Sequence, residues 1–172
     1  MRLLLLGILI GLISCNKDNG EPKVQLKVMI GEVVSVLPGT DGVEGFLVQM
    51  KSADEVTYNA EVRGNEFKEK FEIGKKVALK GNLLDRNLEV LKIVSTDNVN
   101  YNLVGTVEMI TANRSGYTAK ILGENQEVYY AVFSLTNLED NYKDYKVSET
   151  INVKGDLWLS ANKLHVTVRQ IK

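Results

Sequence analysis

Along most of this chain apolar and polar side chains alternate one for one. In Gly74–Ile93, reading GKKVALKGNLLDRNLEVLKI, the positions Val77, Leu79, Gly81 and Leu83 recur at every second residue through a Lys-Gly step. A short polar loop follows, then a second alternating run. Ser148–Ile171 repeats the arrangement with Ile151, Val153, Gly155 and Leu157. Alternation of period two marks half-buried strands, and the intervening loop makes each pair a hairpin. Earlier in each half the same period recurs. The first long strand, Gln25–Leu37, sets Met29, Gly31 and Val33 against Ile30, Glu32 and Val34. Phe46, Val48 and Met50 form a second strand, and a third runs through Val56, Tyr58, Ala60 and Val62. The second half matches with Tyr101–Ile110, Tyr117–Leu122 and Gln126–Phe133. The polar connectors Arg63–Glu72 and Ser134–Lys146 interrupt the strands, and Phe67 and Phe71 are spaced for one or two helical turns.

The two halves are copies. Gly31 recurs as Gly105 and Gly81 as Gly155, both at an offset of 74, which Val33/Val107 and Leu83/Leu157 keep. Gly45-Phe46 answers Gly116-Tyr117 at 71, and Glu55-Val56-x-Tyr58 answers Glu127-Val128-x-Tyr130 at 72. Loops changed length while strands persisted, as in a duplicated domain.

Three strands, a connector with a short helix and two more strands, within about 70 residues, resemble the OB-fold, a five-stranded Greek-key barrel. The first strand of that fold often bends at a glycine so that it joins both sheets, and Gly31 and Gly105 stand where that glycine would. The run Gly74-Lys75-Lys76-Val77-Ala78-Leu79-Lys80-Gly81-Asn82-Leu83 resembles the fourth strand of bacterial OB-like lipoproteins and of tRNA-anticodon-type OB relatives; the second copy has Ser148 for the leading glycine. The expectation is all-β: two tandem five-stranded OB-like barrels, at 24–95 and 100–172, joined by the polar link 96–99. A single lipocalin-like barrel binding a small apolar ligand is the rival, but it gives no reason for a connector at equivalent points of each half. Each copy is small enough to be marginal alone, which predicts that the two pack together.

The N-terminus adds an address. Met1-Arg2 is a positive start, Leu3–Ile13 is apolar apart from two glycines, and a polar run Asn16–Glu21 follows. The apolar stretch is too short for a permanent membrane span and suits a signal-peptide core. Leu12-Ile13-Ser14-Cys15 resembles the lipobox of bacterial lipoproteins. The resemblance implies a signal peptide at 1–14, diacylglycerol on Cys15 and a flexible tether through 23, so the lipid bilayer is one partner. Several acyl chains on one residue anchor stably where one does not. The tether composition faintly resembles the surface-export tags of Bacteroidetes lipoproteins, which implies the outer membrane, on its periplasmic or surface face. Cys15 is the only cysteine, so the domains hold together without a disulfide.

Candidate chemistry changes the picture little. Removing 1–14 takes Arg2 from the 21 basic residues, against 22 acidic ones, and this near-neutral balance leads to the expectation of no nucleic-acid partner. One histidine, no free thiol after acylation and no nucleophile or metal-ligand spacing lead to the expectation of no enzyme, no metal and no cofactor. A carboxylate-based hydrolase is the competing class, with Glu139-Asp140 as its nearest candidate. Lys80 and Lys154 read as solvated barrel surface. What remains is the face that OB-folds commonly use, strands two and three with the 1–2 and 4–5 loops. The second copy has aromatics there: Tyr117, Tyr129 and Trp158, with His165 on the last strand. Tyr130 matches Tyr58 and is assigned to the core, which turns Tyr129 outward. If Ser160–Lys163 is the turn, Trp158 pairs with His165 on the outer face, as a ligand platform or as cover against the other barrel or the connector. The expected function is a non-catalytic binding or assembly module of the cell envelope, for a partner protein or an envelope glycan.

Overall fold

The structure, a computed structural model, describes residues 24–39 and 44–172. The signal segment, Cys15, the tether and residues 40–43 of the first turn lie outside the described residues. Strands β1 (Gln25–Pro38), β2 (Gly45–Lys51), β3 (Thr57–Arg63), β4 (Lys76–Leu84) and β5 (Asn87–Ser95) close into one barrel. A second barrel is built from β6 (Tyr101–Asn113), β7 (Gly116–Gly123), β8 (Val128–Ser134), β9 (Thr150–Ser160) and β10 (Lys163–Ile171). In both, the neighbour order is first, second, third, fifth, fourth, and back to the first. The third and fifth strands run parallel and every other pair is antiparallel. These are two tandem OB-like barrels, all-β as the alternation requires, and the single-barrel rival is excluded by the two separate closures.

The alternation becomes an inside and an outside. Phe46, Val48 and Met50 of β2 and Ala60 and Val62 of β3 are buried, as are Leu103, Val107, Ile151, Val153 and Val166 in the second barrel. The first strand serves both sheets. Residues Gln25–Glu32 pair with β4 and Glu32–Pro38 with β2; in the second copy Tyr101–Thr106 pair with β9 and Gly105–Asn113 with β7. The handover falls at Gly31 and Gly105. A Cβ built on Gly31 would come 2.9 Å from the Lys51 carbonyl oxygen, and one on Gly105 would meet the Leu122 carbonyl and lie 2.7 Å from Ile121 Cγ2. The connectors form one 3₁₀ turn, Lys68–Lys70, in the first copy; in the second, α1 (Leu135–Leu138) runs into a 3₁₀ turn, Glu139–Asn141.

The barrels pack against each other. Val28 and Ile30 from β1, with Ala78 and Val94, join the hydrophobic cluster of the second barrel. The link between them is not loose: Asn98 is buried, its N–H donates to the Lys76 carbonyl of the first barrel (3.1 Å), and its carbonyl accepts from the Leu157 N–H of the second (2.7 Å). Lys80 corrects the expectation of a solvated surface cation. Its Nζ donates to both oxygens of Glu127, at 3.0 and 3.1 Å, and Lys92 Nζ reaches the same carboxylate at 3.0 Å. Burial alone would raise the Glu127 pKa; the bonds from Lys92 and Lys80 overcome it and hold the carboxyl below its ordinary value.

Candidate functional site

On the outer face of the second barrel one row of side chains crosses four strands. Register sets Trp158 of β9 beside His165 of β10, His165 beside Tyr130 of β8, and Tyr130 beside Lys120 of β7. The two-residue turn Ala161-Asn162 fixes the first pair. Both residues have positive φ (46° and 59°), the geometry whose twist matches the flanking strands of a hairpin. The expected pairing of Trp158 with His165 is therefore present.

Across the strands the rings stack. Trp158 and His165 have centroids 4.4 Å apart at 22°, and His165 and Tyr130 5.3 Å apart at 28°. Rings overlapping at these distances turn their faces toward one another and their edges outward, so the row is a ridge rather than a flat plate. Trp158 ends the stack at 40% exposure and donates its indole N–H to Thr167 Oγ1 at 3.0 Å, which sets the ring's orientation. Cations flank the ridge: Lys163 Nζ sits 5.1 Å from the Tyr130 ring centroid, and Lys120 pairs with Glu108 at 2.7 Å. Burial, then the Lys163 charge, pushes the His165 pKa below its ordinary value, so the imidazole is neutral at pH 7 and stacks as an aromatic ring. Beside Tyr130 a cleft of about 350 Å³ opens between the barrels, lined by Val28, Lys80, Glu127 and Lys163 among others.

Two expected site residues are not on this surface. Tyr129 is fully buried, where its hydroxyl shares a 2.7 Å hydrogen bond with Tyr101 and accepts from Asn125 Nδ2 at 2.6 Å. Tyr117 is buried as well; its ring stacks on Phe133 at 4.7 Å and its hydroxyl donates to the Lys143 carbonyl at 2.6 Å. Tyr130, assigned to the core from sequence, is the outward residue. The cause is a slip of one position in aligning the copies, which exchanges the faces of a strand. The loop from Ser52 to Val56 and the loop from Gly123 to Glu127 close with the same backbone hydrogen bond, and each has a positive-φ residue before its end, Glu55 at 65° and Gln126 at 62°. These equivalences set the offset of the third strand at 71, not 72, so Tyr58 corresponds to Tyr129 and Asn59 to Tyr130. The signal was present in Gly45/Gly116, already at 71; the match of Glu-Val-x-Tyr was fortuitous. Trp158 is also not the cover between barrels, since it lies on the exposed ridge. Among the described residues no group of three or more His, Cys, Asp or Glu is placed to hold a metal ion.

No known family model and no curated protein sequence matches the chain. Its structure is similar to one described as "Molecular basis for abrogation of activation of pro-inflammatory cytokines", with 18% identity and a TM-score of 0.34 over 88% of this chain and 95% of that one. It is also similar to the p202 HIN1 domain in complex with 12-mer dsDNA, with 16% identity and a TM-score of 0.33 over 88% and 95% of the two chains. The Ifi202 HINa domain in complex with 20 bp dsDNA gives 15% identity and a TM-score of 0.32 over 84% and 95%. The expectation of no nucleic-acid partner is corrected at this point. Two of these similar chains hold double-stranded DNA, and net charge is a sum over the whole chain that does not describe a local surface. Likeness at this level assigns no ligand to the present chain.

Proposed function

We propose that this chain is a lipid-anchored, non-catalytic binding module of a bacterial cell envelope, held at the outer membrane through Cys15, and that the ridge Trp158–His165–Tyr130 receives a partner protein. The ridge is the observation that carries this reading. Exposed Trp and Tyr, already immobilised by stacking and by the Thr167 bond, are the side chains that dominate protein–protein hot spots, because they bury much area at little entropic cost. Rings with their edges outward fit a groove on a partner better than they fit a sugar, which needs an open ring face. Anchoring rests on the Leu12-Ile13-Ser14-Cys15 resemblance.

The test compares the wild-type chain with Trp158→Ala and Cys15→Ala in envelope membranes. Metabolic labelling with a fatty-acid analogue should mark wild type and not Cys15→Ala; equal labelling ends the anchor. Cross-linking should recover a stoichiometric protein from wild type, reduced at least about tenfold in Trp158→Ala. Undiminished recovery from that variant removes the ridge from the interface. Turnover of an envelope glycan by the purified chain would instead establish the hydrolase.

A further inference from the structure

The first barrel carries the same cross-strand row with different chemistry. Register sets Ser35 of β1 beside Gln49 of β2, Gln49 beside Asn59 of β3, Asn59 beside Asn87 of β5, and Asn87 beside Leu84 of β4. The corresponding row of the second barrel is Met109, Lys120, Tyr130, His165 and Trp158. Where one copy has stacked rings, the other has carboxamides.

Those carboxamides form a ladder. Ser35 Oγ donates to Gln49 Oε1 at 2.7 Å, Gln49 Nε2 to Asn59 Oδ1 at 3.3 Å, and Asn59 Nδ2 to Asn87 Oδ1 at 3.3 Å. Each amide nitrogen has two N–H groups and each carbonyl two lone pairs. Gln49 and Asn59 each spend one N–H and one lone pair within the ladder, and each keeps one of both in a fixed orientation. Alongside lies a groove of about 540 Å³ between Pro38-Gly39 and the β4–β5 turn. Asn59, Asn82 and Asn87 line it with the carboxylates of Glu61 and Glu89, and Leu47 and Leu84 supply an apolar lip. None of the described residues that line it is basic. Glu89 is paired with Arg63 at 2.7 Å, while Glu61 has no ion-pair partner among the described residues, so a phosphate or carboxylate would meet one uncompensated negative charge there.

We propose that this groove binds an uncharged saccharide. A row of paired donors and acceptors suits the hydroxyls of a sugar, each of which both donates and accepts. Carboxylates accept from hydroxyls without requiring a charged ligand, and the leucine lip covers the C–H face of a sugar ring. The inference is independent of the partner taken by the second barrel, because the two rows lie on different barrels.

The test is a titration of the full chain, in a non-glycosidic detergent, with neutral glucose, mannose and N-acetylglucosamine oligosaccharides. Side-chain amide NMR signals of Gln49, Asn59 and Asn87 are followed. At least one oligosaccharide should shift all three while leaving Trp158 fluorescence unchanged. Asn87→Asp, which keeps the shape and removes the donors, and Asn59→Ala should each weaken binding at least about tenfold. Lys120→Ala, on the matching row of the other barrel, should leave it unaltered. Failure of all three sugars to move the amides overturns the inference. So does binding that survives Asn59→Ala and Asn87→Asp, or displacement of the sugar by an oligonucleotide or an acidic peptide.

Discussion

The orientation of β8 is decided by two neighbouring tyrosines, and exchanging each for alanine tests it. Tyr129 is fully buried, its ring beside that of Tyr101 with centroids 5.6 Å apart, and its hydroxyl engaged by both Tyr101 and Asn125. Truncating a buried aromatic to alanine costs about 3–5 kcal/mol, as lost transfer energy and as cavity. With a urea m-value of about 2 kcal/mol/M, the Tyr129→Ala midpoint should fall by roughly 1.5–2.5 M. Tyr130→Ala removes a half-exposed ring that stacks on His165, worth about 1 kcal/mol. Its midpoint should move by about 0.5 M or less. Tyr129→Phe separates packing from hydrogen bonding: the cavity stays filled, while the Tyr101 hydroxyl and the Asn125 amide lose a partner, for about 1–3 kcal/mol. Far-UV circular dichroism is the suitable probe, because Trp158 fluorescence would respond directly to the loss of Tyr130. If Tyr130→Ala proves the more damaging substitution, β8 has the other register and the ridge does not exist.

Three further outcomes are expected. Gly105→Val should lower the denaturation midpoint by the equivalent of about 1–3 kcal/mol, since the new side chain meets the Leu122 carbonyl and the Ile121 side chain; an unchanged midpoint would mean that the first strand crosses between sheets elsewhere. Glu127→Gln should cost about 1–3 kcal/mol at pH 7 by leaving Lys80 and Lys92 without their shared anion. A carboxyl held below its ordinary 4.5 stabilises the fold above that pH and less as pH falls through the folded value, so the gap between wild type and variant should narrow in acid; a gap independent of pH refutes the charge mechanism. Protonating His165 places an imidazolium against the chain's only indole, so Trp158 emission should drop with a midpoint below pH 6.5. His165→Gln should abolish that step, and a midpoint above 6.5 would contradict the burial assigned to the ring.

Period-two alternation located the strands, because a half-buried strand repeats its apolar positions every second residue. The 74-residue offset gave the duplication, and the connector at equivalent points of each half, with the OB resemblance, gave the two barrels. The glycines at 31 and 105 were also legible, since only a residue without Cβ lets the first strand pass so close to the second. The turn at Ala161-Asn162 fixed the Trp158–His165 pair from local sequence alone, because a two-residue hairpin loop leaves no freedom of register. Tertiary structure decided what lies between distant segments. The parallel pairing of β8 with β10 brings Tyr130 beside His165, and no local pattern encodes a contact between strands separated by a connector. The face of β8 rested on whether two loops were of equal length, and alternation repeats too soon to reveal a one-residue error. The Lys80–Glu127–Lys92 cluster and the amide ladder are likewise products of closure and of the packing between barrels. Polar side chains on outward positions look alike along a sequence, and they acquire distinct roles only when the fold sets each beside its neighbour.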